Sequence, residues 1–319
     1  MTNLAMIGLV CLGVMGALAV ATAAAAQPPV RVDSGPSVVS VFEGDRLLME
    51  YAFANVPFKP YVRRFFTPSG VNVLRDMVAD HPHHHALMFA VGVDGVDFWA
   101  EAKTNGREVH KAFGQLKAIA PDSLQPAVLT ETLDWVGPAD DRPLASERRT
   151  IEVYHGPARG ASLLGWRTVL APAEGKASIK LFGSHYFGLG LRLPASMDGK
   201  AEFFTARGPR DGEVVRGDET MTRGPWMACT GEIEGKPVTV AMFDSPANVR
   251  PALWFTMVKS FAYLSGTINL YREPLVVEAA KPLSLCYALA AWDGKIKADE
   301  VERLYKRWLE LVKPEANKP

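Results

Sequence analysis

Short apolar runs, each closed off by Gly, Pro, Asp or Asn, recur along almost the whole chain, and this spacing restricts its fold more than any other feature. The runs cover residues 61–66, 85–93, 114–120, 127–136, 149–154, 162–170, 178–182, 188–193, 226–233, 238–243, 253–258 and 282–291. None is long enough to lay an apolar stripe along an amphipathic helix, so each reads as a strand. Near the start, residues 38–43 and 47–53 flank Gly44-Asp45-Arg46, a hairpin signal of two apolar runs around a turn. So many short strands at turn-sized intervals predict an all-β protein, a large β-sandwich or barrel, with the sandwich preferred.

Helical periodicity is confined to the C-terminus. Val301, Leu304, Tyr305, Trp308, Leu309 and Val312 recur at three- and four-residue steps, Asp299 and Glu300 stand in the first turn, and Pro314 stops the element. A helix over 298–312 packing its aromatic stripe on the sandwich is therefore expected. Asp140-Asp141-Arg142-Pro143 is the best loop candidate. No linker-like stretch divides the chain, so residues 27–319 are expected to form one domain.

Residues 4–26 carry no charge and end in Ala24-Ala25-Ala26 before Gln27, the pattern of a signal peptide cut after Ala26. Residues 1–26 are thus expected to be removed and the mature protein to be periplasmic or secreted, without membrane contact. Val10 before Cys11 does not suit a lipoprotein signal. The remaining cysteines, Cys229 and Cys286, lie in apolar runs and read as small buried hydrophobes, and with no C-x-x-C there is no redox or zinc-ribbon motif. With 35 basic against 35 acidic residues the formal charge is zero, and no basic run stands out, which argues against nucleic-acid binding.

Chemistry concentrates in Asp80-His81-Pro82-His83-His84-His85, which holds four of the seven histidines. In an extended segment His81, His83 and His85 share one face while His84 points the other way. Clustered imidazoles suit proton transfer near neutral pH, or a metal. The metal alternative lacks H-E-x-x-H, a carboxylate three or four residues beyond an H-x-H pair, and any cysteine partner. No cofactor is therefore expected, with a metal at 81–85 kept as the alternative. G-x-S-x-G, P-loop and G-x-G-x-x-G patterns are absent.

The segment Asp80 to His84, followed by Gly95-Val96-Asp97-Phe98-Trp99 and Glu101, resembles the signature of a bacterial family of uncertain function labelled "methane oxygenase PmoA". Further shared pieces are Phe187 to Pro194, Asp244-Ser245-Pro246-Ala247-Asn248-Val249-Arg250-Pro251 with Trp254, and Arg272-Glu273-Pro274-Leu275. The similarity implies a sandwich like galactose mutarotase and a place among proteins that process sugars and keto-sugars. Particulate methane monooxygenase is an integral membrane copper assembly, so the label does not carry the reaction. The resemblance expects Arg-Gly after the histidines, where this chain has His85-Ala86, and often an aromatic where Met88 stands.

The expectation is an exported carbohydrate-active protein that transfers a proton on a sugar, keto-sugar or glycoside, as an isomerase, lyase or hydratase does. His81, His83 and His84 are the catalytic candidates, with Asp80 orienting an imidazole and His185 as a partner from the second half. His155, Asp244 and Glu273 are further partner candidates. His85, Trp99, Glu101, Asp244, Asn248, Arg250 and Trp254 are expected to bind substrate, and Trp99, Trp226 and Trp254 are candidates to stack on a pyranose. The alternatives are a non-catalytic sugar-binding protein and a metal-dependent oxygenase, the latter resting on the label.

Overall fold

The structure, a computed structural model, describes residues 29–79, 81–118, 125–139, 142–154 and 160–313, together with Met1. The proposed leader, Asp80 and His155 lie outside the described residues. Among these residues the chain forms a ten-stranded sheet, a nine-stranded sheet and a small four-stranded one, all paired antiparallel, plus one α-helix, Ala298–Val312. The ten-stranded sheet runs Val30–Ser34, Val38–Glu43, Arg46–Ala52, Tyr61–Phe65, Leu87–Ala90, Gly188–Arg192, Tyr263–Thr267, Leu253–Met257, Glu219–Arg223 and Glu213–Arg216. It is the first layer of an all-β sandwich.

Alternation along the strands decides what lies between the layers. Leu189, Leu191 and Trp254 are fully buried on the inner face, where Phe89 meets Trp135 of the nine-stranded sheet at 6.1 Å between ring centres. Residues one step out of phase, Met88, Gly190, Arg192, Phe255 and Tyr263, therefore face the other way. That outer face carries the site described below. On the far side of the nine-stranded sheet, Val301, Tyr305 and Trp308 of the helix pack on Phe243 and neighbouring small residues, and Trp226 Nε1 donates to Glu302 at 2.6 Å. Burying such a side chain contributes roughly 1.5–3 kcal/mol, which explains why the aromatic stripe was legible.

Three local expectations need correction. Arg46 belongs to the second hairpin strand, so the turn is Gly44-Asp45 alone. The run 85–93 is not one strand: it begins at Leu87, breaks at Val91, and its end, Gly92–Val93, joins the small sheet. Strands also occur where little apolar periodicity exists, notably Glu219–Arg223 and Tyr263–Thr267. Cys229 and Cys286 are free and buried.

Candidate functional site

Pro82 fixes the shape of the histidine segment. Its locked φ suits the second position of a β-turn, and the His84 N–H donates to the His81 carbonyl at 2.9 Å, closing the turn from His81 to His84. The segment is folded back rather than extended, so the expected alternation fails. The His81 and His84 rings stack at 4.8 Å between centres and 24°, and His83 lies 4.6 Å from His84, edge to face. His84 thus joins His81 and His83, and His85 is the one that turns away. Ala86, standing where the resemblance expects glycine, takes φ 23°, a region that costs an L-residue roughly 1–2 kcal/mol.

His85 is buried beneath the turn, stacked on Tyr61 at 4.5 Å. Its Nδ1 meets Asp76 Oδ1 at 3.2 Å and its Nε2 meets Glu101 Oε1 at 2.9 Å. Two carboxylates need a donor at each nitrogen, which only the imidazolium supplies. Burial alone would lower the His85 pKa, but the hydrogen bonds to Asp76 and Glu101 carry it above its ordinary value. Burial likewise pushes Glu101 up, and His85 with Lys59, whose Nζ donates to Glu101 at 2.7 Å, brings it below the usual carboxylate range. His85 and Glu101, expected to bind substrate, instead form an ionic anchor that holds the turn in place.

Above the anchor opens a cavity of ≈ 580 Å³ lined by His81, His83 and His84. Phe255, Phe261 and Tyr263 also line it, as do Asp218, on the turn that joins the last two strands of the sheet, and Glu219, the first residue of the strand after that turn. Ring contacts trace a continuous path across it. His84 lies 5.0 Å from Tyr263, Tyr263 lies 6.3 Å from Phe255, and Phe255 lies 5.3 Å from His185. His185 Nε2 is 2.9 Å from Glu219 Oε2, whose other oxygen accepts from Arg216 at 2.6 Å. Asp218 accepts the N–H groups of Val258 and Lys259 at 2.7 and 2.8 Å, tying the turn to the neighbouring loop. Those bonds hold Asp218 below its ordinary value against the opposing effect of burial.

Burial, then the nearby charges of His83 and His81, lowers His84 to about 2. His83 is also lowered, first by burial and then by Lys59 and His81. Both are neutral at pH 7, His83 with a ring half open to the cavity, while His84, held that low, resists taking a proton. Among the described residues no group of three or more His, Cys, Asp or Glu is arranged to hold an ion.

The remaining sequence candidates sit elsewhere. Trp254 is one residue out of phase with Phe255, so it faces the core and donates to Gly224 O at 2.7 Å. Asp244 accepts from Asn248 at 2.7 Å and from the Ala252 N–H at 2.8 Å, and Asn248 pairs with both backbone groups of Cys286. These two staple a loop. Arg250 donates to the carbonyls of Ile268 and Glu273, and the Glu273 carboxylate, largely exposed, accepts from Asn269. Trp226 is held at the helix, and Trp99 is buried, stacked on Phe187 at 5.3 Å and 10°, so none of the three tryptophans offers an open face. Sequence reasoning missed Glu219, Tyr263, Phe255 and Phe261.

No curated protein matches the chain in sequence. The GH36 α-galactosidase AgaB from Geobacillus stearothermophilus is similar in structure over 82% of this chain and 41% of its own, at 10% identity and a TM-score of 0.49. AgaA of the same organism, in a complex with raffinose, covers 84% and 41% at 10% identity and a TM-score of 0.45. A Klebsiella pneumoniae subsp. pneumoniae protein proposed to be an aldose 1-epimerase covers 90% and 87% at 9% identity and a TM-score of 0.40. The chain thus spans about two fifths of the length of the α-galactosidases it matches. The methane oxygenase label suggested by the His-Pro-His-His segment is not carried by the family that matches. Residues 38–306 fit the model of a family of unknown function (DUF6807), and the chain belongs to that family.

Proposed function

We propose that the cavity binds a sugar or keto-sugar and moves a proton on it, chemistry of the isomerase, lyase or hydratase type. The observation that carries this reading is the placement of proton-handling groups at two ends of one cavity with an aromatic floor between them. Its volume, ≈ 580 Å³, falls within the roughly 300–1,000 Å³ common for small-molecule sites. Phe255 and Phe261 offer apolar area to the C–H face of a ring. Taking a proton from a sugar carbon and returning one needs an acceptor and a donor on different sides of that carbon. The neutral imidazole of His83 stands at one end and the Glu219–His185 pair at the other. His85, Glu101 and Lys59 keep the turn, and so His83, in position.

Titration calorimetry of the protein against methyl hexopyranosides and their keto derivatives tests the reading. One binding site per chain is expected, with slow consumption of at least one keto derivative. Heat indistinguishable from dilution across the set would remove it, and binding without any turnover would leave a sugar-binding protein.

The uncharged leader supports a further proposal, that the protein is exported and starts at Gln27 after cleavage. Intact mass of protein recovered from the periplasm checks this, and a product retaining residues 1–26 would contradict it.

A further inference from the structure

An exposed turn beside the cavity is tied down at both ends and presents an aromatic ring to solvent. It spans residues 268–273, between the strands Tyr263–Thr267 and Leu275–Glu278. Arg250 Nη1 donates to the carbonyls of Ile268 and Glu273 at 3.1 and 2.6 Å, clamping the two ends together. Asn269, at φ 60°, accepts the N–H groups of Arg272 and Glu273 at its carbonyl, and its side chain donates to the Glu273 carboxylate at 3.0 Å. Leu270 is buried in the core beneath. The residue held outermost is Tyr271, 57% exposed and, among the described residues, the only Phe, Tyr or Trp to stand so far out.

Two contacts place this turn over the face of the ten-stranded sheet that carries the cavity. The Tyr271 ring lies 5.8 Å from His185, edge to face, and His185 packs on Phe255 and bonds to Glu219, both of which line the cavity. Arg272 donates to Glu213 at 2.5 Å. Glu213 stands opposite Met221, and Met221 opposite Phe255, and directly opposed residues share a face, so Glu213 is on the same side as the cavity floor. Tyr271 is therefore beside the cavity at its Glu219–His185 end, one ring beyond the wall rather than in it. A single exposed apolar side chain needs no explanation. A ring on a braced turn, flanked by the exposed Arg272–Glu213 pair, offers a sugar an apolar surface for its C–H face and charged groups for its hydroxyls.

We propose that Tyr271 is the platform for a second sugar ring, so that the ligand is a glycoside with its keto-sugar in the cavity and the neighbouring ring on Tyr271. This rests on the sugar reading and adds the size of the ligand to it. Arg250, Asn269 and Glu273 are positioning residues: they fix the turn beforehand, so that little ordering remains to be done on binding.

Titrations use the methyl keto-hexopyranoside that the cavity binds best and the disaccharide joining the same keto ring to glucose. Wild type is expected to bind the disaccharide roughly tenfold more tightly than the one-ring sugar. Tyr271→Ala should remove that advantage and leave the one-ring affinity within about twofold of wild type, whereas Tyr271→Phe, which keeps the ring, should retain the advantage. Because the side chain is exposed, Tyr271→Ala should melt within about 2 °C of wild type. Equal affinity of wild type for the two sugars would overturn the platform and leave the cavity reading standing. An advantage that survives Tyr271→Ala would overturn it as well, and so would an equal loss for both sugars, which would mean that the turn only shapes the cavity. Wild type that binds neither sugar would overturn the sugar reading, and the platform with it.

Discussion

Two clusters of buried polar residues occupy this sandwich, and they solve the problem of burial in opposite ways. Between the two large sheets, Arg149 donates through Nε and Nη2 to Glu147 at 3.0 and 2.7 Å and through Nη2 to Glu108 at 2.8 Å. Its Nη1 reaches the Pro60 carbonyl at 2.9 Å and Tyr51 at 3.3 Å. Trp135 and Thr168 complete the shell of Glu147, and Tyr51 and His110 that of Glu131. Glu108, left with one oxygen unpaired, is pushed up to about 8 by burial, with the Arg149 guanidinium opposing the rise. Around the histidine turn, by contrast, the anchor beneath is fully paired while Tyr263 Oη, Trp99 Nε1 and His84 Nδ1 above it are not. Buried polar groups that satisfy one another hold a structure together, whereas each group left unsatisfied carries a cost that the rest of the fold must offset.

The largest expected effect lies in the paired cluster. Arg149→Met leaves Glu147 and Glu108 facing each other in the core and should cost about 3–5 kcal/mol of unfolding free energy in urea, with ligand affinity of the folded fraction unchanged. A loss below about 1 kcal/mol would mean that the network contributes little and would weaken the contrast.

Acidity sharpens the comparison within the histidine turn, because neighbouring residues respond with opposite sign. The folded pKa of His84 is lowered to about 2 from an ordinary value of about 6.5. Its stability contribution is therefore present above about pH 6.5 and lost as pH falls, with a slope approaching 1.4 kcal/mol per pH unit. The folded pKa of His85 is raised, so its contribution is complete below about pH 6.5 and lost as pH rises through the folded value. Unfolding free energies between pH 4.5 and 9 should fall less steeply on the acid side for His84→Gln than for wild type, and less steeply on the alkaline side for His85→Gln. Profiles parallel to wild type would contradict the assignment of a neutral His84 over a cationic His85.

Much of the framework could be read from the chain, and the reasons it could are the reasons the rest could not. The strands Ala127–Val136, Ser178–Phe182 and Trp226–Ile233 and the helix Ala298–Val312 follow apolar patterns that burial enforces. Glu219–Arg223 and Tyr263–Thr267 escaped notice because Glu-Thr-Met-Thr-Arg and Tyr-Leu-Ser-Gly-Thr mix polar residues into buried strands, and these strands carry Glu219 and Tyr263. Pro82 was a usable signal for the turn that gathers His81, His83 and His84. Trp254 and Phe255 differ by one step of strand phase, which composition cannot resolve. The pairs that join His85 to Glu101 and His185 to Glu219 connect residues far enough apart in sequence that only the folded sheet brings them together.

His83→Ala addresses the central claim, that the open cluster serves a ligand and the paired one serves the fold. Half-buried, with its ring against those of His81 and His84, His83 should change unfolding free energy by less than about 0.5 kcal/mol when truncated. The same variant should lose turnover of a keto-sugar at least a hundredfold if it supplies the proton transfer, within the usual range for a general acid or base. Measuring both on one preparation gives the answer directly. Near-wild-type stability with turnover abolished is the predicted result, and stability lowered by about 1–3 kcal/mol with turnover retained per folded molecule would contradict it.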